Sequence, residues 1–152
     1  MSFWNRLKEN VTQMSSELKT KVAQFRNDAF AEASMAICAL IAAADGSIDP
    51  QEKEKTTKLI LNNDTLSVFE AETLRQKFEK YAGKLEKDYD FGKIDAIQAI
   101  GKLKNKSDQA RAVIQVGIII GGADGDFDED EKRAVKEACH ALDIDPAEYD
   151  LA

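Results

Sequence analysis

The sequence predicts an all-α fold, a single-domain helical bundle of about seven helices with an internal duplication. Apolar residues recur every three or four positions along most of the 152-residue chain, which is the period of an amphipathic helix. Two apolar runs, 35–44 and 112–123, each end in an Ala-Asp-Gly loop that leads into a helix-start signal. Nothing has the pattern of a strand. We therefore treat 1–152 as one domain, long enough to bury a core.

The two acidic loops share one register. Each reads Ala, Asp, Gly, any residue, apolar, Asp, any, any, Glu, Lys, at 44–53 and again at 123–132, 79 residues further on. Agreement at so many positions predicts two related helix-loop-helix hairpins, 28–62 and 107–142, with an approximate two-fold between them.

The N-terminal stretch 1–26 predicts an amphipathic helix. Its apolar stripe, with Trp4 beside it, comprises Phe3, Leu7, Val11, Met14, Leu18, Val22 and Phe25. With five basic and two acidic side chains its net charge is +3, which leaves −10 for the other 126 residues. We favour a helix packed onto the bundle as an extra layer. The alternative is that residues 3–25 dock reversibly on an anionic membrane or a partner.

Helix boundaries follow from capping signals. Asn27 or Asp28 begins the second helix, whose apolar half predicts a central position. Asp49, with Pro50 and Glu52 behind it, begins the third helix, which runs to about residue 61. Ser67 with Glu70 predicts the start of the fourth, and residues 87–90 its end. A fifth helix carries the residues Ile94, Ile97, Ile100 and Leu103.

Ser107 is expected to cap the sixth helix, 108–123. The β-branched residues of 116–123 would suit a strand, but the run continues a helical pattern and matches an alanine-rich helix in the first copy. Gly117 and Gly121 each cost helix propensity, nearly 1 kcal/mol relative to alanine, so we expect the second and sixth helices to cross closely there. Asp128 and Glu131 repeat the capping box and begin the seventh helix, which runs to about residue 142.

Composition excludes several classes of function. A net charge of −7 argues against a nucleic-acid partner. No secretory signal is visible, and the longest apolar run of 12 residues is too short to cross a bilayer, so we expect a soluble, cytoplasmic chain. The two cysteines, Cys38 and Cys139, make no disulfide framework and are expected to be buried and inert. No organic cofactor is expected, because no glycine-rich phosphate loop is present.

The acidic loops are the candidate site. Asp45 and Asp124 each follow the C-terminal end of a helix, where a carboxylate is disfavoured by about 0.3–1 kcal/mol, and a bound cation would relieve that cost. The candidate metal ligands are Asp45, Asp49, Glu52, Asp124, Asp126, Asp128 and Glu131. Helix capping alone explains Asp49 with Glu52 and Asp128 with Glu131.

The spacing does not match an EF-hand. Asp124, Asp126 and Asp128 fit its first three acidic positions, but Glu129 stands where the loop needs glycine and Val135 where it needs glutamate. The expected site is a shorter loop that Glu131 or Glu52 completes. Its carboxylate and carbonyl oxygens favour Ca²⁺ over Mg²⁺ or Mn²⁺, and the lack of His or Cys ligands disfavours zinc.

The chain resembles the TerB family of bacterial tellurite-resistance proteins. The resemblance rests on the two Ala-Asp-Gly loops, each followed by Asp-x-x-Glu-Lys, on the Met-Ser-Phe-Trp opening, on Val-Gly-Ile at 116–118 and on Asp-Pro-Ala-Glu at 145–148. It implies an all-helical cytoplasmic protein that works with a TerC-like membrane protein and with TerD-like proteins at the inner face of the membrane. Ser47 stands where the second copy has Asp126, which departs from a symmetric pair of metal sites.

The sequence is consistent with three candidate functions. The first is a non-enzymatic module that binds a divalent cation and partner proteins in tellurite and stress resistance. The second is a purely structural scaffold whose acidic loops are only solvated. The third is a thiol-based enzyme acting on tellurite, which is disfavoured because these loops repel anions and Cys38 is expected to be buried.

Overall fold

A computed structural model of the protein describes residues 3–122 and 127–151. In these ranges the chain forms seven α-helices and two 3-10 turns, with no strand. The helices are α1 (Phe3–Val22), α2 (Asp28–Ala42), α3 (Pro50–Leu61), α4 (Ala71–Lys87), α5 (Tyr89–Gly101), α6 (Ser107–Gly121) and α7 (Glu129–Ala141). The 3-10 turns are Asp64–Leu66 and Pro146–Tyr149. The predicted all-α class is confirmed.

The second helix is the centre of the bundle, as its apolar sequence predicts. Eleven of its residues, from Phe30 to Ile41, are buried, and it packs against α4, α5 and α6. Asn27 caps it by accepting the backbone N–H of Phe30 at 2.8 Å.

Helices α2 and α6 approach closely at the glycines of α6. A Cβ on Gly117 would lie 2.9 Å from Cδ1 of Ile37, and one on Gly121 would lie 2.8 Å from Cγ2 of Ile41. At these distances an alanine at either position would require the isoleucine side chain to shift, which supports the expected crossing. The crossing places the C-terminal ends of both helices side by side, and the acidic loops begin there.

The N-terminal helix packs onto the bundle against α6 and the first 3-10 turn. Phe3, Leu18 and Val22 are buried, so the ends of the predicted stripe face the protein. The middle of the stripe is more exposed, because the backbone of Asn10 is not helical, with φ −129° and ψ 30°. This kink leaves Val11 45% exposed.

Two of the predicted helix caps, Ser67 and Ser107, are wrong. Ser67 ends the first 3-10 turn, and Glu70 occupies the N-cap of α4 without a side-chain hydrogen bond. Ser107 is the first residue of α6 rather than its cap, and its hydroxyl accepts a hydrogen bond from Arg111. In both cases a local partner or conformation competes with the capping hydrogen bond, and the sequence motif does not reveal this competition. None of the described helices is long and apolar enough to cross a membrane.

An ionic cluster joins α2 to α4 through Glu32. Its carboxylate accepts hydrogen bonds from Lys77 at 2.8 Å, Tyr81 at 2.5 Å and Lys80 at 3.1 Å. Partial burial alone raises the pKa of Glu32, but these hydrogen bonds and the charge of Lys77 outweigh it and lower the pKa from 4.5 to about 2. The ionised carboxylate is therefore stabilised by the fold.

We predict that this cluster contributes stability that is lost in acid. Because the folded-state pKa of Glu32 lies below its ordinary value, the contribution is present above about pH 4.5 and disappears as the pH falls towards about 2. Replacing Glu32 with Gln is expected to lower the free energy of unfolding by about 2 kcal/mol at pH 7 and by little at pH 2. Urea unfolding from pH 7 to 2 measures this, with exposed Glu54→Gln as control. An equal loss at every pH would contradict it.

Two helix glycines, Gly83 and Gly92, have opposite surroundings. A Cβ on Gly92 would lie 2.6 Å from the backbone nitrogen of Leu85, whereas one on Gly83 would meet nothing within 4 Å. Gly92→Ala is therefore expected to destabilise the protein by about 2–3 kcal/mol, because backbone cannot move aside. Gly83→Ala is expected to stabilise it by about 0.5–1 kcal/mol through helix propensity. Thermal unfolding of both variants checks the opposite signs, and a similar effect of both would refute the close α4–α5 approach.

Candidate functional site

The first acidic loop begins where α2 ends. Gly46 has a φ of +99°, the left-handed conformation that glycine adopts most easily at a helix end. Asp45, just before it, is exposed and accepts the backbone N–H of Ser47 at 3.2 Å. Within the described part of the chain Asp45 forms no ion pair. Its negative charge therefore lies at a helix C-terminus, where the helix dipole disfavours it. No described residue compensates this charge with a salt bridge.

The two other acids of this loop have different surroundings. Asp49 is the N-cap of α3 and accepts the backbone N–H of Glu52 at 2.8 Å, so its geometry supports the capping role. Glu52 is half-buried. Burial raises the pKa of Glu52, and the hydrogen bond and charge of Asp49, with the charge of Asp45, raise it further. Its ionised form is thus disfavoured, and a nearby cation would favour it.

The second loop is described only from its final part. Asp124 and Asp126 lie outside the described residues. Asp128 accepts the backbone N–H of Glu131 at 2.8 Å, and Glu131 accepts that of Asp128 at 3.0 Å, which completes the predicted capping box of α7.

Acids from both loops line one cavity of about 220 Å³ between the hairpins. Successive turns of α2 and α3 form two of its walls, and α6 and α7 close it. The lining residues are Cys38, Ile41, Ala42, Ala44 and Asp45, then Glu52, Lys55, Thr56 and Leu59, and finally Ile120, Gly121, Asp128 and Glu131. The structure thus brings Asp45, Glu52, Asp128 and Glu131 to a single place.

The cavity carries an excess of negative charge. Four carboxylates and one ammonium, that of Lys55, are among the described residues that line it. Like charges that share a partly buried space repel each other, so the cavity favours a positively charged occupant. In the described ranges, however, no three His, Cys, Asp or Glu side chains lie close enough together to hold a metal ion. Complete coordination would therefore need ligands beyond these four carboxylates as they are placed.

Sequence reasoning missed two lining residues. Lys55 follows Glu52 by three positions on α3, so helical spacing places both on one face. Cys38 precedes Ile41 and Ala42 by three and four positions on α2, and these two residues also line the cavity. Burial raises the pKa of the Cys38 thiol to about 12. Cys139 is also buried, and burial together with the charges of Glu148 and Asp145 raises its pKa to about 12 as well.

The chain is similar to proteins of one known family. A family model described as "Tellurite resistance protein TerB" matches residues 31–152. The tellurium resistance protein TerB of an Alcaligenes species is 29% identical over 118 residues, which cover 78% of this chain and 97% of that protein. No solved structure matches significantly.

The family model matches the chain from α2 onwards. It begins within α2 and continues through both acidic loops, whereas α1 lies before it. It covers far more than half of the chain, and it includes every candidate metal ligand. The chain belongs to the TerB family of tellurite resistance proteins.

Proposed function

We propose that this protein serves tellurite and stress resistance without catalysis, as a module that binds a divalent cation and partner proteins. The cation would lie at the cavity between the hairpins, held by carboxylates of both acidic loops. Ca²⁺ is the favoured ion, with Mg²⁺ and Mn²⁺ as weaker candidates, since flexible loops of carboxylate and carbonyl oxygens suit calcium.

One observation carries this proposal. Asp45, Glu52, Asp128 and Glu131 come from hairpins far apart in the sequence, yet all line the same cavity with one lysine. Helix capping accounts for one oxygen of Asp128, but it explains neither Asp45 nor the raised pKa of Glu52. Asp124 and Asp126, which remain predicted ligands, would supply the additional oxygens that a six- to eight-coordinate ion takes.

The partners are proposed from family membership. A TerC-like membrane protein and TerD-like proteins are the candidates, in a complex at the inner face of the membrane. Charge supports a basic partner surface, because the chain carries −7 overall. The exposed cations of α1, among them Arg6, Lys8 and Lys19, support a peripheral contact of residues 3–25 with anionic lipid.

A thiol-based enzyme acting on tellurite is the weaker candidate, and thiol accessibility tests it. A pKa of about 12 for Cys38 and for Cys139 leaves little thiolate at pH 8, and burial limits access. Both thiols of the native protein are expected to react with Ellman's reagent at least about 100-fold more slowly than in urea. Fast reaction of one thiol, with tellurite turnover abolished by Cys139→Ser or Cys38→Ser, would instead establish the enzyme.

Calorimetric titration tests cation binding. Wild-type protein is expected to bind Ca²⁺ more tightly than Mg²⁺ or Mn²⁺. The double variant Asp45→Asn with Asp128→Asn is expected to lose at least about tenfold in affinity, because it removes two charges from the cavity. Asparagine still caps helices and accepts turn hydrogen bonds, so the fold is retained. Asp124→Asn with Asp128→Asn tests the second loop in the same way.

A matched control separates ligation from general electrostatics. Glu54→Gln with Asp90→Asn makes the same charge change at exposed residues that do not line the cavity. Its Ca²⁺ affinity should stay within about twofold of wild type. A wild type that binds no divalent ion would refute the cation proposal and favour the structural scaffold. An equal loss in both double variants would show that the effect is long-range.

A further inference from the structure

The N-terminal end of α1 is held on the bundle by an aromatic cluster. The ring of Trp4 lies 5.1 Å from that of Phe127, measured between centroids. Phe3 packs edge-to-face on Trp4 at 5.4 Å and on Tyr149 at 5.2 Å. These four rings form the aromatic cluster, which joins the first turn of α1 to the residue before the N-cap of α7 and to the second 3-10 turn.

Two further contacts and one missing hydrogen bond distinguish this end of α1. The ammonium of Lys132, in α7, lies 5.2 Å from the ring centroid of Trp4, within the range of a cation–π interaction. The backbone N–H of Phe3 donates to a carboxylate oxygen of Asp150 at 2.5 Å. The indole N–H of Trp4 is buried without a hydrogen-bond partner among the described residues. This unsatisfied donor destabilises the docked position of the ring.

The kink in α1 interrupts its apolar stripe. In a straight helix Phe3, Leu7 and Val11 would lie on one face, because they are spaced four residues apart. Asn10, however, has non-helical backbone angles, and Val11 after it is 45% exposed although Phe3 is buried. The docked arrangement thus holds one residue of α1 out of the helical conformation and leaves part of the stripe in water.

Basic side chains lie near the aromatic cluster in an otherwise acidic chain. The stretch 1–26 carries a net charge of +3, whereas the other residues sum to −10. Arg6 and Lys8 are exposed on the first turns of α1. A shallow depression beside the start of α7 is lined by Glu129, Lys132, Arg133, Lys136, Asp150 and Leu151. A basic amphipathic helix of this kind is attracted to bilayers that contain anionic lipid.

We propose that residues 3–9 are a latch that leaves the aromatic cluster and inserts into the surface of an anionic bilayer. This inference rests on the proposed contact of residues 3–25 with anionic lipid. In the released form α1 is helical through Asn10, so Phe3, Leu7 and Val11 form one stripe that faces the acyl chains. The ring of Trp4 then lies among the lipid headgroups, where its N–H has hydrogen-bond acceptors.

The docked and lipid-bound positions of the latch exclude each other. The rings of Phe3 and Trp4 contact Tyr149 and Phe127 in the docked form, so lipid cannot contact the same surfaces until the latch is released. The aromatic cluster therefore opposes membrane binding and determines how much protein is bound at a given lipid concentration. A substitution that weakens the cluster at Phe127 should strengthen membrane binding, although it changes no residue of α1.

Fluorescence reports the latch directly, because Trp4 is the single tryptophan of the chain. The probe is vesicles of phosphatidylglycerol and phosphatidylcholine in equal parts, with pure phosphatidylcholine vesicles as control. The protein is expected to bind the anionic vesicles at least about tenfold more tightly in co-sedimentation. Anionic vesicles with acyl chains brominated near the headgroup are expected to quench Trp4 emission at least about twofold, because the ring lies in the bilayer surface.

Straightening of α1 is tested at the kink. Asn10→Ala favours a helical residue at this position and is expected to strengthen binding to anionic vesicles about two- to threefold. Thr12→Ala is the matched control, because Thr12 is exposed and already helical in the docked form. It adds helix propensity to both forms equally and should bind as wild type does.

The opposing role of the aromatic cluster is tested from outside α1. Phe127→Leu removes an aromatic contact to Trp4 and is expected to strengthen vesicle binding about three- to tenfold. Phe91→Leu makes the same change at a 70% exposed ring outside the cluster and should leave binding unchanged.

The outcomes separate the latch from the lipid contact. Binding to anionic vesicles without quenching by brominated chains would overturn the latch and leave the lipid contact intact. No binding to anionic vesicles would overturn the lipid contact and the latch with it. Quenching with stronger binding of Asn10→Ala and Phe127→Leu supports the latch, whereas quenching with neither gain would overturn the competition. Wild-type fluorescence needs no variant, so the latch stays testable even if Phe127→Leu does not fold.

Discussion

The close crossing of α2 and α6 is the constraint on which the site depends. Glycines at 117 and 121 let α6 lie directly on Ile37 and Ile41 of α2, at a cost in helix propensity that buried packing offsets. Because both helices end near this crossing, Asp45 after α2 and Asp128 before α7 line the same cavity. The cavity between the hairpins is thus a consequence of backbone proximity in the apolar core. Larger residues there would displace the Ile37 and Ile41 side chains from their present positions.

The carboxylates of the cavity affect the stability of the helices in two opposite ways. Asp128 and Glu131 stabilise the start of α7 through reciprocal hydrogen bonds, as carboxylates at a helix N-terminus do. Asp45 instead lies at a helix C-terminus, where the dipole opposes it. Folding therefore explains part of the acidic pattern, and the remainder is what a positively charged ligand would neutralise. Among the described residues that line the cavity, Lys55 is the one cation beside the four carboxylates.

The sequence predicted the fold better than the site, for physical reasons. Periodicity and capping depend on neighbours within a few residues, so the all-α class and most helix bounds followed from them. Ser67 and Ser107 were wrongly predicted to be N-caps. A serine near a helix start has several hydrogen-bond partners available, and the sequence motif does not determine which one it uses. The convergence of Asp45 with Asp128 depends on a tertiary crossing that local patterns do not encode. The contact of Trp4 with Phe127 likewise joins residues more than a hundred positions apart, and no spacing rule connects them.

The hydrogen bond between Phe3 and Asp150 has a topological consequence. The two ends of the described chain touch, so a short peptide could join them without crossing the surface of the protein. Circular permutation would then be geometrically feasible, with new ends opened in the exposed residues 104–106 that separate α5 from α6. Such a rearranged chain would place the first hairpin after the second in the order of synthesis. It would therefore reveal whether either hairpin must be made first for the bundle to assemble.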